Sequence, residues 1–445
     1  MNIVIKNADI LNEGQIVRGN VRIENDTIAE IFTDNRSEMP DTQYFDAHGK
    51  LLLPGIIDDQ VHFRQPGLTH KGDIFSESRA AAAGGITSFM DMPNTLPPTL
   101  DSERLDEKFE LARQNSLVNY SFYLGASNDN IAHIRRIDPK TVCGVKVFMG
   151  SSTGNMLVDD ERALSAIFAE SPVIVATHCE DENIIREKNL LYRQKYGDSI
   201  SPACHPQIRT DEACRRSSAK AIELAIRYNT RLHVLHLTTA GETEFFDRIS
   251  PAYLPRVTAE VCVHHLWFCS DDYAALGNKI KCNPAIKTAA DREALQQAVR
   301  NGKIAAIATD HAPHTLDEKL RNYCDAPSGL PLVQHSLPMM LELCRQGVFS
   351  LFDLVEMMCH RPAKLFNIKK RGFIRTGYFA DLTLVDSNSP NTVTANSLMS
   401  KCRWSPLEGQ GFSAKVVATW VNGATVWHDG RIIETKTARQ LEFER

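Results

Sequence analysis

The sequence predicts an α/β protein, a parallel (β/α)8 barrel that carries a small sheet domain made from both chain ends. Three observations predict it. Eight short apolar runs follow one another at 55–61, 86–91, 118–125, 143–149, 172–178, 231–237, 256–263 and 303–309. Helical patterns fill most of the intervals between them, and both termini read as short strands separated by turn residues. Strands alternating with helices indicate parallel β/α units, and eight such units close a barrel. An open doubly wound sheet is the alternative, but no G-x-G-x-x-G follows the first run. With 445 residues there is room for both parts, since a barrel takes about 250.

In chain order, Ile3-Val4-Ile5, Val21-Arg22-Ile23 and Ile28-Ala29-Glu30-Ile31 form the first strands, punctuated by Gly14, Gly19 and Asn25-Asp26. Helical patterns then run from Asp73 to Ala83 and over 102–114, 159–170, 211–228 and 290–301. Gly84-Gly85 marks a helix end. The spans 179–210, 264–289 and 311–345 lack this rhythm and read as long loops, which in a barrel belong to the catalytic face. Leu382-Thr383-Leu384-Val385 and Val416–Val421, with a turn at Asn422-Gly423, return to β. The expected division is residues 1–52 with 370–445 in the small domain and 53–369 in the barrel.

Composition removes several function classes. Fifty Lys and Arg against 55 Asp and Glu give a net charge of −5, with 24% charged and 43% hydrophobic residues. These are values of a globular chain with a sizeable core, and they offer no electrostatic case for binding nucleic acid. Eleven Cys lie scattered without a C-x-x-C pair, as free thiols do in a reducing compartment. MNIVIKNADILNEGQ alternates like a strand rather than running apolar like a signal peptide. No stretch approaches the ~18 apolar residues of a membrane span. The expectation is a cytoplasmic protein with a small-molecule partner, neither nucleic acid nor membrane.

Chemistry concentrates where the runs end. The first ends at Asp58-Asp59-Gln60-Val61-His62-Phe63-Arg64 and the second at Asp91-Met92-Pro93-Asn94. The fourth holds Lys146, and the fifth ends at His178-Cys179-Glu180-Asp181. His236 ends the sixth, His264-His265 the seventh, and Asp310-His311-Ala312-Pro313-His314 the eighth. Alternate strand residues share a face, so Gln60 and His62 point the same way, and at least one of His264 and His265 is structural. His205 lies in a loop without an assigned role. The C-terminal ends of barrel strands meet around one axis, which makes these distant residues candidates for one site. Imidazoles with a carboxylate suit Zn²⁺, which lowers the pKa of bound water to near 7. Taken alone, Lys146 would pair with a carboxylate. Beside a metal it fits only as a neutral amine or as an anion, and carbamylation by CO2 would make it a carboxylate able to bridge two metals.

In these motifs the sequence resembles the dihydroorotases, cyclic amidohydrolases related to hydantoinases and allantoinases. The match keeps motif order along nearly the whole chain. Pro54-Gly55-Ile56-Ile57-Asp58, Val61-His62-Phe63-Arg64-Gln65-Pro66-Gly67 and Met92-Pro93-Asn94-Thr95 open it. Gly144-Val145-Lys146, His178-Cys179-Glu180-Asp181 and Leu235-His236-Leu237-Thr238-Thr239 follow. Glu260–Leu266, Lys281-Cys282-Asn283-Pro284 and Thr309–His314 complete it.

The resemblance implies a metal-dependent barrel with a small β-sandwich from both ends. It also implies reversible ring closure of N-carbamoyl-L-aspartate to (S)-dihydroorotate in pyrimidine synthesis. In the hydrolytic direction, a metal-activated water attacks the ring amide, and Asp310 takes its proton and delivers it to the leaving nitrogen. His178 and His236 would bind one Zn²⁺ and His62 with Asp310 the other, bridged by Lys146 as its carbamate. Arg64, Asn94, Asn283 and His314 would hold substrate, with Arg64 apt for its carboxylate. A homodimer is expected.

The chain departs from the family at one position. The family opens with His-x-His, whereas this chain has Gln60-Val61-His62. An amide is a poorer zinc ligand than an imidazole. Three outcomes follow: a weakened second metal, a one-metal enzyme, or a catalytically silent subunit that scaffolds another pyrimidine enzyme. Allantoinase or hydantoinase activity is the alternative within the class.

Overall fold

The computed structural model describes residues 2–34, 40–150, 156–249 and 256–445. Eight parallel strands follow one another around a barrel in chain order: Ile56–Val61, Ile86–Asp91, Asn119–Gly125, Gly144–Phe148, Val175–His178, Leu232–Val234, Val257–Cys262 and Ala306–Ala308. The ring closes just beyond the eighth strand. There Val61 bridges His311, and the His62 N–H donates to the His311 carbonyl at 2.7 Å. Each strand falls on one of the eight apolar runs. Their residues are buried almost without exception, which is why the runs read as continuous rather than alternating.

The outer helices Ile74–Ala83, Ser102–Asn115, Glu161–Glu170, Asp211–Tyr228 and Ala289–Arg300 match the expected patterns within two residues. Asp73 starts the first, its carboxylate accepting from the Ser76 N–H at 2.8 Å. At its end Gly85 takes the left-handed conformation (φ 84°), and a Cβ on Gly84 would lie 2.7 Å from the Val333 carbonyl. Both glycines are therefore demanded by geometry.

All three spans expected as loops contain helices, two of them of ten residues or more. Glu182–Tyr196 buries only Ile185, so it has no apolar stripe to announce it. Ser336–Arg345 is buried at every residue from Ser336 to Leu343, so it lacks the polar face that makes a helix periodic. His264 and His265 are corrected as well. They lie on a helical turn, Val263–Trp267, and not on the strand, and both are buried with ring centroids 4.1 Å apart.

The chain ends meet in one nine-stranded sheet. Its order is Arg431–Ile432, Ala424–His428, Lys415–Val421, Leu382–Asp386, Leu51–Pro54, Asn2–Asn12, Gln15–Glu24 and Thr27–Phe32, with Thr42–Asp46 also paired to Asn2–Asn12. Ile3, Ile5, Val21, Leu52, Leu384 and Trp420 belong to its separate core. Asp381 ties this sheet to the barrel. It pairs with Arg371 and accepts from the Asn422 N–H at 2.8 Å and from Asn119 Nδ2 of the third barrel strand at 3.1 Å.

The last residues leave the sheet and cover the barrel floor. The Leu441 N–H donates to the Tyr120 carbonyl at 2.8 Å, and Leu441 and Phe443 join Ile57, Met90 and Tyr123 in one apolar cluster. All eleven cysteines are free thiols. Among the described residues, no helix is long and apolar enough to cross a membrane.

Candidate active site

Beyond the C-terminal ends of the strands lies a cavity of about 90 Å³. The first strand and the turn after it contribute Gln60, His62 and Arg64, and Asn94 follows the second. Lys146 comes from the fourth strand, His178 from the fifth, and His236 and Asp310 from just past the sixth and eighth, while Asn283 reaches in from a loop. Of the residues expected to act, only His314 does not line it. A wider groove, about 800 Å³ between Glu161–Glu170 and Asp211–Tyr228, carries surface pairs such as Lys220–Glu161 and no histidine.

At one corner, His178 Nδ1 faces His236 Nε2 at 3.0 Å. The other nitrogen of His178 donates to Glu180 Oε2 at 2.9 Å, so Nδ1 presents its lone pair to the cavity. Glu180 is in turn held by Arg209. Burial opposes the charge of Glu180, but Arg209 and His178 outweigh it and hold the carboxyl at about 2. Burial depresses both imidazoles, against the pull of Glu180 on His178, so they are neutral. His236 Nδ1 is buried without a partner. Two neutral imidazoles whose facing nitrogens are 3.0 Å apart fit a divalent ion, since tetrahedral zinc sets such atoms about 3.3 Å apart.

Lys146 is 1% exposed, its ammonium 4.7 Å from the centre of the Phe148 ring. Burial pushes its pKa down to about 8 against the pull of Asp310 and Glu260, so an unprotonated fraction is present near neutral pH. At the opposite corner, His62 Nε2 is 2.9 Å from Asp310 Oδ1 and His62 Nδ1 is 2.6 Å from Asn94 Oδ1. Gln60 Nε2 donates to the same Asp310 oxygen at 3.2 Å.

Arg64 forms the third side. Its Nε donates to the Pro313 carbonyl at 3.0 Å, and Nη2 lies 3.0 Å from His314 Nε2. His314 stands behind it, with Nδ1 3.0 Å from Lys71 Nζ and Nε2 3.0 Å from the Ser328 carbonyl. Burial lowers the Arg64 pKa to about 10, which leaves it charged. No ion pair of Arg64 exists among the described residues, so a buried guanidinium opens into the cavity with room for an anion. Arg64, His236 and Asp310 all have left-handed backbones, at φ 70°, 39° and 47°. Such positions cost roughly 1–3 kcal/mol each and persist only where the surroundings enforce them.

Sequence reasoning missed the floor of the site. His233 Nε2 lies 3.2 Å from Asp59 Oδ2 and 3.3 Å from Glu260 Oε2, all three side chains fully buried. The Thr258 hydroxyl donates to the Leu232 carbonyl and so accepts from His233 Nδ1 at 2.9 Å, which turns Nε2 to the carboxylates. Burial opposes the imidazolium, but the Asp59 and Glu260 carboxylates raise His233 to about 9. Glu260 Oε1 also accepts the His236 N–H at 3.2 Å, holding that strained residue in place. Asp59 reaches the interior because the first strand bulges between Asp58 and Val61, one residue longer than its partner there. Cys262, His264 and His265 form a second buried group of clustered donor atoms.

Known proteins resemble this chain along nearly its whole length. A family model described as the amidohydrolase family matches residues 207–426, and one described as dihydro-orotase-like matches residues 49–137. A dihydroorotase of Halobacterium salinarum is 33% identical over 442 residues, spanning 98% of this chain and 99% of that one. An allantoinase of Streptomyces avermitilis is 32% identical over 391 residues, spanning 87% and 86%. Among solved structures, the L-hydantoinase (dihydropyrimidinase) from Arthrobacter aurescens has a TM-score of 0.94 at 26% identity and is covered to 99%, as is this chain.

Proposed function

The chain belongs to the dihydroorotase family of amidohydrolases, and from that premise we propose that its cavity interconverts N-carbamoyl-L-aspartate and (S)-dihydroorotate, a step of pyrimidine synthesis, with zinc bound. The observation that carries this reading is Arg64, a buried cation without a carboxylate partner beside a cluster of neutral imidazoles. Dihydroorotate bears a carboxylate on its ring; hydantoin and allantoin do not. Arg64 therefore selects the first by charge and by a two-pronged hydrogen bond.

His178 and His236, with Lys146 as its carbamate, would hold a zinc ion that supplies Lewis acidity, polarising the ring carbonyl and easing deprotonation of water. Asp310 moves the proton. Burial disfavours its charge, yet the His62 hydrogen bond and charge outweigh this and keep the carboxyl below its usual range, ionised and ready to accept. It then returns the proton to the ring nitrogen as the C–N bond breaks. Asn94 and Asn283 flank the bound ring, and His314 positions Arg64 from behind.

Side-by-side assays of dihydroorotate, hydantoin and allantoin test the proposal. Dihydroorotate should lead in kcat/KM by at least about 100-fold, as sites built around one buried polar contact discriminate. Fastest turnover of allantoin would refute it. Arg64→Met should cost about 2–5 kcal/mol of substrate binding, at least a ~30-fold loss in kcat/KM carried mainly by KM. An unchanged KM for dihydroorotate would take the carboxylate away from Arg64.

A further inference from the structure

The corner of the cavity built by the first strand is a hydrogen-bonded cluster rather than a ligand set. Gln60 is 1% exposed, and both ends of its amide are engaged. Nε2 donates to Asp310 Oδ1 at 3.2 Å, while Oε1 faces Cys262 Sγ at 3.8 Å. Chemistry sets this orientation, because an ionised carboxylate only accepts and a thiol donates. The reverse would press a carbonyl against the carboxylate. His62 is engaged in the same sense, its two ring nitrogens facing Asn94 Oδ1 and Asp310 Oδ1 at 2.6 and 2.9 Å. A zinc ion here needs lone pairs from residues 60 and 62. Gln60 presents N–H instead, and His62 Nε2 is already taken up by the Asp310 carboxylate.

We propose that this corner holds no ion. Gln60 and His62 donate to Asp310 in place of a second zinc, and the centre is mononuclear, with its one zinc at His178 and His236. The inference rests on the zinc-amidohydrolase reading above and deepens it. It gives Gln60 a positive role: two donors share one carboxylate oxygen and hold Asp310 toward the cavity, the task a second cation would otherwise perform.

Metal content tests it independently of turnover. The whole protein would be loaded with excess Zn²⁺ and bicarbonate, freed of loose ion and analysed by mass spectrometry. A parallel sample loaded with ¹¹³Cd²⁺ would be read by NMR. The wild-type chain should hold about one ion and give a single cadmium resonance, whereas Gln60→His, which restores an imidazole lone pair, should hold about two and give two. Two ions in the wild-type chain would overturn the proposal. So would a Gln60→His protein that stays at one, because the amide would then not be what keeps the corner empty. Absence of metal from both proteins, with no turnover, would defeat the underlying zinc reading instead.

Discussion

Asp310→Asn is expected to lower kcat for dihydroorotate hydrolysis by about 10²–10⁴-fold, the contribution of a positioned acid–base group, with KM changed only a few-fold. The substitution preserves shape while removing the one carboxylate that lines the cavity. Asp310 Oδ1 receives His62 at 2.9 Å and Gln60 at 3.2 Å, so an amide oxygen in its place still accepts at least one of these bonds and the eighth strand keeps its course. An amide cannot take a proton from water or return one to a ring nitrogen. Metal binding at His178 and His236 should survive under the proposed reading, because neither imidazole is hydrogen-bonded to Asp310. Metal content therefore separates loss of proton transfer from loss of the centre. A variant with wild-type kcat would remove Asp310 from the mechanism.

Lys108→Met should destabilise the protein by about 3–5 kcal/mol, the penalty for stranding one half of a buried ion pair. Lys108 Nζ lies 2.5 Å from Asp91 Oδ2, and neither side chain reaches solvent. The same ammonium donates to the Met92 carbonyl at 2.9 Å, and the other oxygen of Asp91 accepts the Phe63 N–H at 2.7 Å. The pair thus joins the ends of the first and second strands where they turn into Arg64 and Asn94. The unfolding midpoint should fall by roughly 5–10 °C, and kcat/KM should fall with it as Arg64 loosens. The double variant Lys108→Met with Asp91→Asn should recover part of the loss, since no charge is then left unpaired. A single variant as stable as wild type would show that the pair contributes nothing.

Much of the architecture was legible because its signals are local. Barrel strands buried on both faces leave continuous apolar runs, and helices with one buried face leave a 3.6-residue stripe, as Asp211–Tyr228 does. Glu182–Tyr196 and Ser336–Arg345 escaped because one is almost wholly exposed and the other almost wholly buried, which erases the stripe in opposite ways. Much of the candidate site was legible for a geometric reason. A closed barrel directs the C-terminal ends of all its strands to one mouth, so His62, Lys146, His178, His236 and Asp310 could be assembled without coordinates.

By itself, then, the sequence determined the kind of elements, the closed ring and the set of reactive side chains gathered at its rim. Only the tertiary structure decided what those side chains do to one another. A bulge turns Asp59 inward to His233 and Glu260, His314 stands behind Arg64 instead of facing the cavity, and the Gln60 amide offers Asp310 its N–H. Periodicity records which face of an element meets the core. Whether a nitrogen presents a proton or a lone pair depends on atoms contributed by strands some 250 positions away, and no local pattern carries that information.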